Sequence, residues 1–134
     1  MNWDYITGFF DADGSVSAIR VSSNKNRTLQ ICFHNNELQI LKNIQKFILE
    51  DINIKGTITL KKAKKDSHSD QYELKYVYQR AYKVSLKLNT LHPKKKHRIE
   101  VYKKIQEVTK RNGKYTSQEE KLRSTLIEEF FKKI

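Results

Sequence analysis

The chain has 134 residues, 37% hydrophobic and 31% charged, enough for a single domain over residues 1–134 with a modest core. It carries 27 Lys and Arg against 15 Asp and Glu, a formal net charge of +12, which points to a polyanionic partner. No apolar run nears the roughly 20 residues of a membrane span, the start "MNWDYITGFF" lacks the regions of a signal peptide, and the lone Cys32 excludes an internal disulfide framework and suits a reducing intracellular compartment.

Asn2 to Ala12 reads as a helix, with Asn2 or Asp4 as N-cap and Ile6, Phe9 and Phe10 as apolar bulk. Gly8 and Ala12 lie four apart on one face, where small side chains let another backbone approach closely. This helix runs into Asp11, Asp13 and Gly14, although acids at a helix C-terminus oppose its dipole. Something must offset that cost. Asp-Ala-Asp-Gly is also a sequence that favours a helix-to-strand turn, and Gly14, with its wide backbone freedom, permits a sharp exit into the first strand.

"SVSAIRVSS", "NKNR" and "TLQICF" then form a hairpin pattern. Leu29, Ile31 and Phe33 are expected inward, with Thr28, Gln30 and Cys32 outward. In the first strand Val16 and Ala18 fit one face while Ile19 and Val21 fit the other, which admits a bulge. Leu38, Leu41, Ile44 and Ile48 recur at helical spacing behind a capping Asn35 or Asn36. "GTITLKKAKK" and "QYELKYVY" read as two more strands joined by "KDSHSD". Residues 80–91 fit a short helix. From about Lys96 to Arg111, Ile99, Tyr102, Ile105 and Val108 make a helical stripe stopped by "NG". Ser117 with Glu120 gives a capping-box signal for a last helix whose buried face would carry Leu122, Leu126, Phe130 and Ile134.

The order α-β-β-α-β-β-α with added helix implies an α+β fold with four strands covered by helices on one face. The other sheet face would hold Thr28, Gln30, Thr57, Thr59, Lys61, Glu73 and Lys75, and no acid lies between Gly14 and Asn36. His34, His68, His92 and His97 have no zinc-like spacing and read as surface residues or contacts to that polyanionic partner.

The stretch "ITGFFDADG", Ile6 to Gly14, resembles the signature of the LAGLIDADG homing endonucleases. Gly8, Asp11, Ala12, Asp13 and Gly14 match outright and Ile6 is a conservative swap; Thr7, Phe9 and Phe10 differ. The element order matches that family over nearly the whole chain. The resemblance implies the family's αββαββα fold, with a four-stranded antiparallel saddle sheet. It also implies a site-specific double-stranded DNA endonuclease that uses Mg²⁺ or another divalent cation such as Mn²⁺. Such enzymes cut both strands across the minor groove, leave short 3′ overhangs and are usually encoded in introns or other mobile elements. Asp13 is then the metal ligand, with help from the Ala12 carbonyl, while Asp11 caps or braces the turn.

A single motif implies a homodimer, with Gly8, Asp11 and Ala12 at the two-fold interface and the two Asp13 carboxylates side by side. Like charges so close would couple metal binding to dimerisation. "LHPKKKHR" matches a basic run of the family, with Lys94 aligning best and Lys95 and Lys96 as rivals; its role would be to stabilise phosphate charge. Asn35 would orient solvent at the metal, or merely cap the next helix. Base reading in the major groove would fall to Ser17, Ile19, Ser23, Thr28 and Gln30, and to Thr57, Thr59, Lys61, Glu73 and Lys75. Asn24, Lys25, Asn26 and Arg27 would touch bases or phosphates, and Lys62, Lys64 and Lys65 phosphates. The rival functions on this scaffold are an RNA-binding intron maturase and a non-catalytic DNA-binding relative.

Overall fold

The computed structural model describes residues 1–20, 27–62, 70–110 and 114–133, with Arg20 described by its backbone alone. In chain order the elements are α1 (Trp3–Asp13), β1 (Gly14–Arg20), β2 (Arg27–Asn35), α2 (Leu38–Ile52), β3 (Thr57–Lys61), β4 (Gln71–Val77), α3 (Tyr78–Ser85), α4 (Pro93–Glu107) and α5 (Ser117–Phe131). The strands form one antiparallel sheet in the order β1-β2-β4-β3, so two hairpins join through their second strands. The chain divides into two compact units, Met1–Thr90 and Leu91–Ile134.

In the first unit, Asn2 caps α1 by accepting the Tyr5 backbone N–H at 2.8 Å. Ile6 and Phe10 are fully buried, and the Phe9 and Phe10 rings lie 6.3 and 5.7 Å from Phe33. Trp3 fixes α1 to α2: its indole N–H donates to Asp51 at 2.7 Å, and its ring meets Phe47 edge-on. Leu29, Ile31 and Phe33 on β2, with Leu74 and Tyr76 on β4, complete the core beneath α1, α2 and α3. Each such large apolar side chain contributes roughly 1.5–3 kcal/mol on burial.

The β1–β2 register runs unbroken from Gly14↔Phe33 to Arg20↔Arg27, so the suspected bulge does not occur within those residues. Val16 and Ala18 take the core face and Ile19 stands half-buried on the other. Thr28 and Cys32 do point away from the core, as alternation requires, yet both are nearly closed to solvent.

Gly14 corrects the reason given for it. Its backbone is extended (φ −103°), which any residue adopts, but an added Cβ would come within 2.7 Å of the Phe10 carbonyl oxygen. Space, not rotational freedom, requires glycine. The α2 cap also differs from expectation: Glu37 is the N-cap and makes no side-chain cap bond. Asn35 instead folds back to accept the Glu37 N–H at 2.8 Å. Leu41, Ile44 and Ile48 are buried as the periodicity requires, and Asn53 ends the helix in the left-handed conformation. Tyr78, also at positive φ (57°), turns β4 directly into α3, which therefore starts two residues earlier than expected and ends at Ser85.

In the second unit, α4 begins at Pro93, earlier than the apolar stripe suggests, because proline fits the first helical position, where its missing N–H has no partner to lose. It ends at Glu107, so the "NG" stop is not what terminates it; Asn112 and Gly113 lie outside the described residues. Ile99, Tyr102 and Ile105 are buried, and Val108 caps the helix half-buried. The α5 capping box exists one residue earlier than expected. Thr116 accepts the Glu119 N–H at 3.2 Å and Glu119 accepts the Thr116 N–H at 3.1 Å. Phe130 is buried, but Leu122 is 48% exposed and Arg123 is buried in its place, stacked 4.3 Å over the Tyr115 ring. At about 100° per residue, Arg123 sits about 20° around the helix from Phe130, whereas Leu122 sits about 80° away. Ile134 lies outside the described residues.

Candidate active site

The end of α1 opens onto a cavity of about 520 Å³ lined by Asp13, Gly14, His34, Asn35, Asn36 and Gln71. The Asp13 side chain is exposed and closes the helix, so its carboxylate stands at the rim. Every other side chain that lines the cavity is an amide or an imidazole. A hard cation with oxygen ligands and several waters fits such a lining. Asp11 is handled differently. It accepts a short hydrogen bond from the hydroxyl of buried Thr90, tying the end of α1 to the segment after α3. Gly8 and Ala12 are exposed on α1, and an added Cβ at Gly8 would meet nothing within 4 Å.

Beside this cavity lies the polar face of the sheet. The strand registers put Ser15, Ser17 and Ile19 of β1 on it, with Thr28, Gln30, Cys32 and His34 of β2. Across the junction come Gln71, Glu73 and Lys75 of β4, then Thr57, Thr59 and Lys61 of β3. Glu73 is at its centre and only 2% exposed, because three basic groups cover it. The Lys61 and Lys75 ammonium groups lie 2.5 and 3.2 Å from its oxygens, and His34 Nδ1 lies at 3.5 Å. Burial pushes the Glu73 carboxyl up, but hydrogen bonds from Lys61 and Lys75 and their charges outweigh it and hold it below the usual carboxylate range. The same contact raises Lys61. Burial pushes the His34 imidazole down, and the pull of Glu73 and Asp13 does not restore it. Cys32 is pushed up by burial and by Glu73. Its sulfur accepts a hydrogen bond from the Gln30 side-chain N–H at 3.3 Å.

The sequence-based site residues therefore fall into several groups. Asp13 and Asn35 meet in the end cavity, with Ala12 immediately before Asp13. Ser17, Ile19, Gln30, Thr57, Thr59, Lys61 and Lys75 share the open sheet face, and Lys62 follows β3 exposed. Thr28 and Glu73 are on that face by register but closed to solvent. Arg27 opens β2 and donates to the Ala18 carbonyl at 2.9 Å. Lys94, Lys95 and Lys96 belong to the second unit, in the first turn of α4. There Lys94 lines a cavity of about 300 Å³ with Arg98, Phe131, Lys132 and Lys133. Ser23, Asn24, Lys25, Asn26, Lys64 and Lys65 lie outside the described residues, as do Val21 and His68. Sequence reasoning missed Asn36 and Gln71 at the end cavity. Asn36 follows Asn35 directly, but Gln71 arrives only through the β2–β4 pairing, which no local pattern announces.

Fold and site together define an α+β domain of αββαββα order whose first helix delivers a carboxylate beside a polar sheet face. The chain belongs to the LAGLIDADG-like domain family, whose sequence model matches residues 3–88. A search of curated protein sequences finds no match. Among solved structures, the chain resembles the LAGLIDADG homing endonuclease I-GzeII in complex with DNA target (17% identity, TM-score 0.62, 97% of this chain and 42% of that one). It also resembles the archaeal intron-encoded homing endonuclease I-Vdi141I complexed with DNA (21% identity, TM-score 0.63, 96% and 80%). A third is the LAGLIDADG meganuclease I-AabMI bound to uncleaved DNA (14% identity, TM-score 0.64, 95% and 44%). At these identities the likeness is one of fold. The chain spans less than half the length of I-GzeII and I-AabMI. No helix among the described residues is long and apolar enough to cross a membrane.

Proposed function

We propose that the protein is a site-specific, double-strand DNA endonuclease that works as a homodimer with a divalent cation, Mg²⁺ or Mn²⁺. The observation that carries this is the exposed Asp13 carboxylate at the end of α1, rimming an open polar cavity beside the polar sheet face. Asp13 and the Ala12 carbonyl would hold the ion, and the amides of Asn35, Asn36 and Gln71 would order water around it. When bound, the ion supplies Lewis-acid stabilisation of the charge that develops on the scissile phosphate. Lys94 would add positive charge to that phosphate; this role rests on the sequence run alone. The sheet face offers donors and acceptors at Ser17, Gln30, Thr57 and Thr59, with Lys61, Lys62 and Lys75 for phosphates or guanine edges. A two-strand cut needs two such acids, and the chain carries one. The uncovered small face of α1 at Gly8 and Ala12 is suited to pack on its own copy.

The test is incubation with a randomised duplex library and Mg²⁺, followed by sequencing of cut ends. Cleavage at one roughly palindromic site is expected. Asp13→Asn should lower the rate at least about a hundredfold, equivalent to a few kcal/mol of lost stabilisation. Sequence-specific binding with no cleavage by the unaltered protein would favour a non-catalytic DNA-binding relative. Tight binding to structured RNA alone would favour a maturase.

A further inference from the structure

We propose that Cys32, His34 and Glu73 form a binding site for a borderline-soft divalent ion of the zinc class, on the sheet's polar face and built without Asp13. Cys32 and His34 are two residues apart on β2 and so point to the same side, while the β2–β4 register sets Glu73 directly opposite His34. One sulfur, one nitrogen and one oxygen ligand atom then lie within 4.8 Å of one another. Tetrahedral coordination with bonds of about 2.0–2.3 Å puts these ligand atoms roughly 3.3–3.6 Å apart, so closing the site takes shifts of about 1 Å.

Each donor has an outer partner. Gln30 donates to the Cys32 sulfur at 3.3 Å, a bond that favours the thiolate. The Ser15 hydroxyl lies 3.3 Å from His34 Nε2, so it can accept from that nitrogen and leave Nδ1, which faces Glu73, free to ligate. Thiolate with imidazole selects Zn²⁺ or Co²⁺ over Mg²⁺, which takes oxygen ligands, and three protein ligands leave a fourth position for water. What opposes the ion is also visible. Lys61 and Lys75 hold the Glu73 oxygens and would repel a cation. Lys61 is 62% exposed and can swing into solvent, so the ion and Lys61 compete for the same carboxylate. Occupancy would therefore release a lysine from the sheet face and tie Glu73 down instead.

Co²⁺ titration of the whole, reduced protein without added histidines tests this. The chain has a single cysteine, so thiolate-to-cobalt charge transfer in the near ultraviolet reports Cys32 alone and is silent to an ion held by Asp13. One equivalent should bind with that band and tetrahedral visible bands, and Zn²⁺ should abolish both. His34→Gln, at a half-exposed position, should weaken binding more than about tenfold, a loss that even outer partners of metal ligands produce. Lys61→Met should tighten it by removing the competitor. No charge-transfer band at millimolar Co²⁺, or a band of unchanged affinity in His34→Gln, would overturn the site. Equal or weaker binding in Lys61→Met would overturn the competition.

Discussion

The unit Met1–Thr90 closes its core around paired strands, whereas Leu91–Ile134 closes around two helices. In the first, every core position on a strand is specified twice: once by alternation along the strand and once by the residue hydrogen-bonded across from it. Phe33 faces inward because its neighbours alternate, and also because it pairs with Gly14 on one side and Leu74 on the other. A slip of one residue would turn the whole face outward. In the second unit, among the described residues, helix phase and a few large contacts specify the packing. Arg98 lies 5.2 Å from the Phe130 ring centre, Phe130 meets Tyr102 edge-on, and His97 Nε2 contacts the Glu129 carbonyl at 2.7 Å. Long amphipathic side chains such as Arg98 and Arg123 do part of the work that aliphatic residues do in the sheet unit. The doubly specified unit carries the candidate site, which needs atoms fixed to within fractions of an ångström; the singly specified unit carries 13 of the chain's 27 Lys and Arg.

The largest expected effect probes that double specification. Phe33 is fully buried and touches Phe9, Phe10 and Tyr76, so Phe33→Ala should lose about 3–5 kcal/mol in a denaturant titration. Hydrogen exchange read residue by residue should show the loss in β2 and β4 first. A loss under about 1 kcal/mol would mean that the sheet core is loosely filled and that the contrast between the units is wrong.

A smaller effect of opposite sign is expected at Tyr76. Its hydroxyl is buried with no hydrogen-bond partner among the described residues, and burial pushes its pKa far up. An unsatisfied buried polar group costs about 1–3 kcal/mol, so Tyr76→Phe should raise the denaturation midpoint by an equivalent of about 1 kcal/mol, with the ring still packed on Phe33. A lower midpoint would show that the hydroxyl has a use that the core alone does not reveal.

The same contrast explains what the amino-acid sequence made legible. All four strands and both long helices of the sheet unit were readable, because alternation and helical spacing are strong local signals, and the order they gave agreed with the motif at Gly8–Gly14. The place of Asp13 at the end of α1 was readable from that motif. Cys32, His34 and Glu73 were not: the two β2 residues are adjacent in pattern, but Glu73 comes 39 positions after His34 and arrives only through strand pairing. In the helical unit Leu122 was expected inside because leucine is apolar. The register with Phe130 decided otherwise, and the aliphatic stem and flat head of Arg123 fill the place over Tyr115.

The smallest expected effect concerns the start of α5, where one capping box holds a helix that no strand pairing supports. The Lys110 ammonium, bonded to Glu119 at 2.6–2.8 Å, is the main cause that lowers the Glu119 carboxyl, and the Thr116 N–H adds to it. Because the folded value lies below the ordinary 4.5, the stabilisation is complete above that pH and disappears as pH falls through the folded value. Acidification from pH 5 toward pH 2 should therefore loosen the first turn of α5, seen as faster exchange or shifted resonances of the Glu119 and Glu120 amides. Glu119→Gln should remove that pH step, since a neutral amide has no proton to gain, while still offering an oxygen to the Thr116 N–H. The effect should shrink in high salt, because the Lys110–Glu119 pair is at the surface and is screened. If the step survived Glu119→Gln, acid would be acting on α5 through some other carboxylate, and the helical unit would be less dependent on its cap than its sparse contacts imply.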